Sequence, residues 1–275
     1  RGNKMDVLVA KNVNKRFGGL QALTALDVSV AEKSIHSVIG PNGAGKTTFF
    51  NCITGFYNPE EGQVLFNGEE IQGMPPDRVA QRGISRTYQN IRLFANTTVL
   101  ENVLVGMHRH LNTGWFGAVI RLRKNRNEEA AAREEAMRIL KFVDLHRKAD
   151  WIAKNLPYGE QRRLEIARAL AGKPSLVLLD EPTAGMNPRE TEDTTTLIRR
   201  LRDDLGMTIL LIEHDMHVVM NVSNQITVLD FGKKIAEGDA WAIRSNPQVI
   251  EAYLGRGAAT GSNYGMREAP AATGS

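Results

Sequence analysis

Short apolar runs alternate with charged, amphipathic stretches along most of the chain. Residues 35–39, 176–179, 207–212 and 225–229 each read as one buried strand, and the first is followed by a helical pattern opening at Lys46. That alternation predicts a layered α/β domain built on a largely parallel sheet. Residues 7–13, 26–30 and 62–66 instead alternate apolar with polar positions, as half-exposed antiparallel strands do, and predict a small β layer beside the main sheet. Between 98 and 143 the strand signal vanishes and helical patterns take over. The stretch 127–143 carries Glu128 and Glu129 early and Arg138 and Lys141 late, the order that suits a helix dipole. A helical insertion is expected there. After Gly255 the sequence turns to Gly, Ala, Ser and Thr with little to bury, so 256–275 reads as a loose tail. No internal repeat of the solenoid type is visible.

Composition narrows this picture only modestly. With 275 residues, 42% of them apolar, the chain has material for one large domain or two small ones. No run approaches the roughly 18 apolar residues that span a bilayer. The start, Arg1-Gly2-Asn3-Lys4, lacks the apolar stretch of a secretory signal, and a cytosolic location is expected. The single cysteine, Cys52, lies among Phe49, Phe50 and Ile53 and reads as a packing residue. A net charge of +4 permits contact with anionic surfaces without demanding it. The stretch 108–126 mixes Trp115, Phe116 and Ile120 with five basic residues; it reads as a solvated basic face, the alternative being a segment lying near lipid headgroups.

The chemistry is concentrated in two places. Gly40-Pro41-Asn42-Gly43-Ala44-Gly45-Lys46-Thr47-Thr48 fits G-x-x-x-x-G-K-[ST] and sits between a strand ending at Ile39 and a helix opening at Lys46, the context that motif needs. Its glycines let successive backbone N–H groups point at phosphate oxygens, and the helix N-terminus adds partial positive charge. Lys46 is placed to reach the β and γ phosphates of a nucleotide and Thr47 to ligate Mg²⁺. The second place is the end of an apolar strand at Asp180-Glu181, at the sheet edge where such folds bind ligands. Asp180 is expected in the Mg²⁺ shell. Glu181, one residue on, faces the other way and suits polarisation of an attacking water. The plainer reading of the pair is an acidic cap after a core strand, with Pro182 turning the chain.

These motifs, with Tyr158-Gly159-Glu160-Gln161-Arg162-Arg163 before the second and His214 after it, resemble ATP-binding-cassette ATPases over nearly the whole chain. More narrowly, Arg16-Phe17-Gly18-Gly19-Leu20, Asn51-Cys52-Ile53-Thr54-Gly55-Phe56-Tyr57 and Arg162-Arg163-Leu164-Glu165-Ile166-Ala167-Arg168 resemble an ATPase subunit of branched-chain amino acid importers. The resemblance implies a P-loop NTPase α/β fold of the ABC ATPase kind, with the antiparallel layer and an inserted helical subdomain. It divides the chain at 1–89 and 160–255 for the nucleotide-binding core and 90–159 for the insertion, ending at the signature motif. It implies ATP and Mg²⁺ as cofactors and assigns further roles: Phe17 stacking on adenine, Gln89 reporting on Mg²⁺ and the attacking water, His214 contacting the γ-phosphate and Glu181, and Gly159 with Glu160 touching the nucleotide held by the opposite subunit.

Two departures from the family's pattern stand out. Where the signature usually reads Leu-Ser-Gly-Gly-Gln, this chain has Leu156-Pro157-Tyr158-Gly159-Glu160. A hydroxyl donor is lost at Pro157 and Tyr158 narrows the space, which leaves the Gly159 N–H and the helix N-terminus to meet the phosphate. Asn187 stands where the family usually has Asp, keeping hydrogen bonding without the charge. Both resemble subunits that work with a non-identical partner. The expected function is therefore energising a membrane importer from its cytosolic face, with permease subunits as direct partners, an external substrate-binding protein as an indirect one, and no nucleic acid. Leu93, Phe94 and Val99 are candidates to line the permease groove. The alternatives are a soluble cassette ATPase acting on ribosomes or nucleic acid, and a regulatory module that binds ATP without hydrolysing it.

Overall fold

The computed structural model describes residues 6–107 and 122–260. The basic stretch up to residue 121 and the tail from 261 onward lie outside the described residues. Two sheets organise the rest. The first is antiparallel, in the order β2 (Leu20–Ala31), β1 (Asp6–Phe17), β4 (Glu61–Phe66), β5 (Glu69–Glu70). The second has six strands in the order β10 (Lys233–Gly238), β9 (Gln225–Asp230), β3 (Ile35–Ile39), β8 (Thr208–Ile212), β7 (Leu176–Asp180), β6 (Ile84–Arg86); all its pairings are parallel except β10 with β9. Strands β3, β7 and β8 are buried along their whole length, which is why they read as unbroken apolar runs.

The period-2 geometry of those strands divides the interior. Val177, Leu179, Ile209 and Leu211 face one core, shared with the helical segment, while Leu176, Leu178, Leu210 and Ile212 face another, shared with α1 (Lys46–Ile53) and the antiparallel sheet. The first core continues through Val99 and Val103 of α3 (Val99–Met107), Leu140 of α4 (Leu122–Phe142) and Leu164 of α5 (Tyr158–Ala171). The helical segment is thus welded to one face of the sheet by a shared apolar core. Helix α4 begins five residues before the stretch singled out in the sequence, and Val99 and Leu93 both belong to the packing of this core.

The remaining helices are α2 (Pro76–Arg82), α6 (Pro188–Asp203), α7 (Met216–Val222), α8 (Ala240–Arg244) and α9 (Pro247–Thr260). Helix α9 runs through the first residues that composition assigned to the tail; it starts from Asn246, whose side chain accepts from Gln248 N at 2.9 Å and so fixes the first turn.

Candidate functional site

The carboxyl ends of β3, β6, β7 and β8 lie side by side, and each delivers one part of the site. After β3, residues 40–48 fold into a tight loop. Gly40 has φ +150°, and a Cβ there would stand 2.1 Å from the Leu229 carbonyl oxygen, so only glycine lets β9 pack against the loop. The β9–β10 turn braces it further: Gly232 N–H donates to the Ala44 carbonyl at 3.0 Å, and the Gly232 carbonyl accepts from Thr24 N at 2.8 Å. Asn42, Gly43 and Thr47 are exposed on this loop, Pro41, Gly45 and Thr48 are half-buried, and Ala44 is buried.

Lys46 is buried and folds back on the loop that precedes it, donating to the carbonyls of Gly40 at 2.7 Å and Pro41 at 3.0 Å. Burial holds its amine below the usual lysine range, opposed by the negative charges of Glu181 and Asp180. A cation held only by neutral carbonyls is ready to exchange them for anionic oxygens.

Asp180 ends β7 and is buried; its Oδ2 accepts from Arg86 Nη2 at 2.7 Å, Arg86 being the last residue of β6. Arg86 also donates to Asn51 Oδ1 at 2.7 Å and Thr54 Oγ1 at 3.2 Å, and its guanidinium lies over the rings of Phe50 and Tyr88. Glu181 follows with φ +49°, a left-handed conformation uncommon for a residue other than glycine or asparagine. The Glu181 carboxylate meets partners different from those of Asp180. Its Oε2 accepts from Gln89 Nε2 at 2.9 Å and stands 3.7 Å from His214 Nδ1. Residues 92 and 33 positions away along the chain therefore converge on one carboxylate.

His214 itself is placed by Glu213, which is fully buried at the end of β8. Glu213 Oε2 accepts from the backbone N–H of His214 at 3.0 Å, and Oε1 accepts from Thr183 N at 3.0 Å and from the Thr183 hydroxyl. This one carboxylate ties the loop after β7 to the loop after β8. Its neighbourhood to His214 was visible in the sequence; its partner was not.

Three expected site residues sit elsewhere. Phe17 is exposed at the β1–β2 turn and meets Tyr57 edge-on, ring centroids 5.0 Å apart. Gly159 and Glu160 open α5 in the helical layer. A Cβ on Gly159 would come within 2.9 Å of Glu190 Oε1, and the Glu160 carboxylate is held by Lys148 Nζ at 2.6 and 2.7 Å. The signature-type glutamate thus brings its own counter-ion. Asn187 caps α6, accepting from Glu190 N at 3.0 Å while its own N–H donates to Glu190 at 3.1 Å.

A glycine-rich loop with a buried lysine, an acid at a strand end, and a second acid contacted by glutamine and histidine form an arrangement of the kind that P-loop ATPases use. Residues 23–184 match the ABC transporter family, and residues 233–259 match the family described as branched-chain amino acid ATP-binding cassette transporter. The chain belongs to the ABC transporter family, as an ATPase subunit. It is 48% identical over 249 residues to the high-affinity branched-chain amino acid transport ATP-binding protein BraF of Pseudomonas aeruginosa, covering 90% of this chain and 98% of that one. It is 45% identical to the corresponding protein LivG of Escherichia coli, with the same coverage. Among solved structures, an ATP-binding cassette of an ABC transporter in its ADP conformation superposes with a TM-score of 0.79 at 34% identity, covering 91% of this chain and 99% of that one.

Proposed function

We propose that this ATPase energises a membrane importer for branched-chain or similar hydrophobic amino acids, closing head to tail on a second cassette subunit around ATP. The hydrolytic part of this reading is carried by the convergence of Gln89 and His214 on Glu181, beside Lys46 and Asp180.

In this reading the loop 40–48 binds the triphosphate with its backbone N–H groups, and Lys46 trades its two carbonyl partners for β and γ oxygens. Glu181 orients the attacking water. His214, exposed and 3.7 Å away, contacts the γ-phosphate and steadies the carboxylate, while Gln89 holds it from the side of the helical layer. Phe17 offers its face to adenine. The donor set at Asp180 and Thr47, a carboxylate beside a helix-terminal hydroxyl, is all oxygen and suits a hard ion that keeps most of its water. The side-chain amide oxygen of Gln89, Oε1, adds a third candidate. When bound there, Mg²⁺ would supply charge neutralisation between the phosphates.

The other half of each site comes from a partner's α5 N-terminus, where the Gly159 backbone N–H and the positive helix end meet the phosphate, the Glu160 N–H being donated to the Pro157 carbonyl at 3.0 Å. The neutralised Glu160 supports this use, since Lys148 offsets a charge that would repel an anion. The signature departure at Pro157 supports a non-identical second subunit in the assembled importer, while the retained Gly159 lets a second copy of this chain stand in for it in isolation.

Permease docking is supported by a cleft of about 370 Å³ between α2, α3 and α5, walled by the exposed rings of Phe56 and Phe94 together with Tyr88, Val105 and Arg168. Of the three groove candidates read from the sequence, Phe94 alone lines it. No helix among the described residues is long and apolar enough to cross a membrane, so attachment to the cytosolic face would run through this cleft. The substrate reading rests on the transport named for BraF and LivG, the external binding protein acting through the permease.

Phosphate release by the purified protein, with and without Mg²⁺, tests the catalytic assignment. His214→Ala is expected to bind ATP with near wild-type affinity while turnover falls at least tenfold. Unchanged turnover in His214→Ala would sink the assignment.

A further inference from the structure

The loop that carries Gln89 is held by α5 on both sides of that residue. Arg162, 3% exposed, donates from Nη1 to the Tyr88 carbonyl at 2.6 Å and to Glu165 Oε2 at 3.3 Å. Its Nη2 donates to the Gln89 carbonyl and to the Tyr158 hydroxyl oxygen, the latter at 2.9 Å. Glu165, equally buried one turn on, accepts from the backbone N–H groups of Tyr88 and Arg92, both at 3.4 Å. All four Nη protons of Arg162 therefore have acceptors, while its Nε is buried without one. The guanidinium is held entirely by its outer edge.

Tyr158 supplies one corner of that edge. Tyr158 is 41% exposed at the first position of α5, next to Gly159, and its ring lies against Gly185 in the loop before α6. Without the hydroxyl, a buried Nη2 proton would lose its acceptor, which costs more than the bond itself contributes. The guanidinium would turn to recover it, and the Gln89 carbonyl shares the same nitrogen. A lysine at 162 offers three donors from one point charge and no planar fork, so it cannot satisfy all four of these acceptors at once.

We propose that Tyr158 and Arg162 are positioning residues for hydrolysis: the tyrosine hydroxyl orients the guanidinium, which fixes the backbone at Gln89 and so holds its carboxamide against Glu181. The proposal rests on the ATPase reading above and extends it, because it places the handle of Gln89 on the helix end assigned to the partner's nucleotide.

The test uses the full chain with Tyr158→Phe, which keeps the ring, and Arg162→Lys, which keeps the charge. Amide hydrogen exchange over 88–92 is followed without nucleotide. ATP affinity, kcat and KM are measured under the conditions in which the wild type hydrolyses. For Tyr158→Phe the expected result is a Tm lowered by only about 2–4 °C, ATP affinity within about twofold, and exchange over 88–92 faster by about fivefold, the loss of one net hydrogen bond; kcat should fall by a similar factor with KM unchanged. Arg162→Lys should exceed it in both exchange and kcat. Wild-type exchange over 88–92 in Tyr158→Phe, or wild-type kcat in either variant, would overturn the proposal. Failure of the wild type to bind ATP would instead sink the ATPase reading, and the exchange comparison would still decide whether the tether exists.

Discussion

Replacing Arg86 by Met isolates the ion pair that holds Asp180. Both side chains are almost fully enclosed, 6% and 7% exposed, so neither charge has water to fall back on. Removing one member of a buried pair typically costs about 3–5 kcal/mol, because the remaining charge is left uncompensated. Arg86 also donates to Asn51 and Thr54, and losing those bonds belongs to the same total. For a chain of this size each kcal/mol moves Tm by roughly 2–4 °C, so Arg86→Met should melt about 10 °C below the wild type. The companion variant Arg86→Met with Asp180→Asn removes both charges and should recover a large part of the loss, giving a coupling energy above about 1 kcal/mol in the double-mutant cycle. Scanning calorimetry and urea titration of the four proteins, without nucleotide, supply the numbers. A single variant that melts within 2 °C of the wild type, or a cycle that closes additively, would refute the claim that Arg86 compensates Asp180.

Two further outcomes follow from the geometry. His36 sits buried in β3 with Nε2 2.8 Å from Thr227 Oγ1, and burial pushes its pKa down to about 4 from 6.5. Between those values the unfolded chain holds a proton that the native chain refuses, so stability is lost as pH falls below about 6.5; urea unfolding should show about 2 kcal/mol lost between pH 7 and 5 that His36→Gln does not lose, and parallel profiles would contradict this. Asn187→Ala removes the cap of α6 and should lower stability by about 1 kcal/mol, whereas Asn187→Asp should be neutral or better; an Ala variant as stable as the wild type would show the cap to be dispensable.

How far the sequence disclosed this architecture depends on how local each signal is. The strands β3, β7 and β8 were legible because parallel strands buried on both faces must be continuous apolar runs. The loop 40–48 was legible because phosphate binding dictates both glycine spacing and its strand-to-helix context. Strand β6 was not, since three residues are too few to show a period, and β10 was not, since its alternation is blurred by Lys233, Lys234 and Glu237 at the sheet edge. The largest omission concerns buried charge. Arg86, Arg162, Glu165 and Glu213 receive no role from the sequence, even where they stand inside a quoted motif, because what pairs them is brought close only by folding: 94 positions separate Arg86 from Asp180, and 73 separate Arg162 from Gln89. The departures from the family's pattern were visible but incompletely read. Tyr158 does stand at the signature position, and folding adds that its hydroxyl is bound by Arg162; Asn187 does lack a charge, and folding adds that its amide is spent on capping α6.

The central claim is that Glu181 is the hydrolytic carboxylate of an ATP site completed by a second subunit. Glu181→Gln keeps the side chain's shape and removes its charge, so nucleotide binding should survive while hydrolysis stops. Size measurement of the Glu181→Gln protein in ATP and Mg²⁺, beside the wild type and with phosphate release followed in both, reads both parts of the claim. The account predicts a wild type that turns ATP over and a variant that does not, the variant accumulating as an ATP-bound dimer. A variant that releases phosphate at the wild-type rate would contradict the assignment of Glu181, and one that binds ATP yet stays a monomer would contradict a site this chain can complete with its own copy.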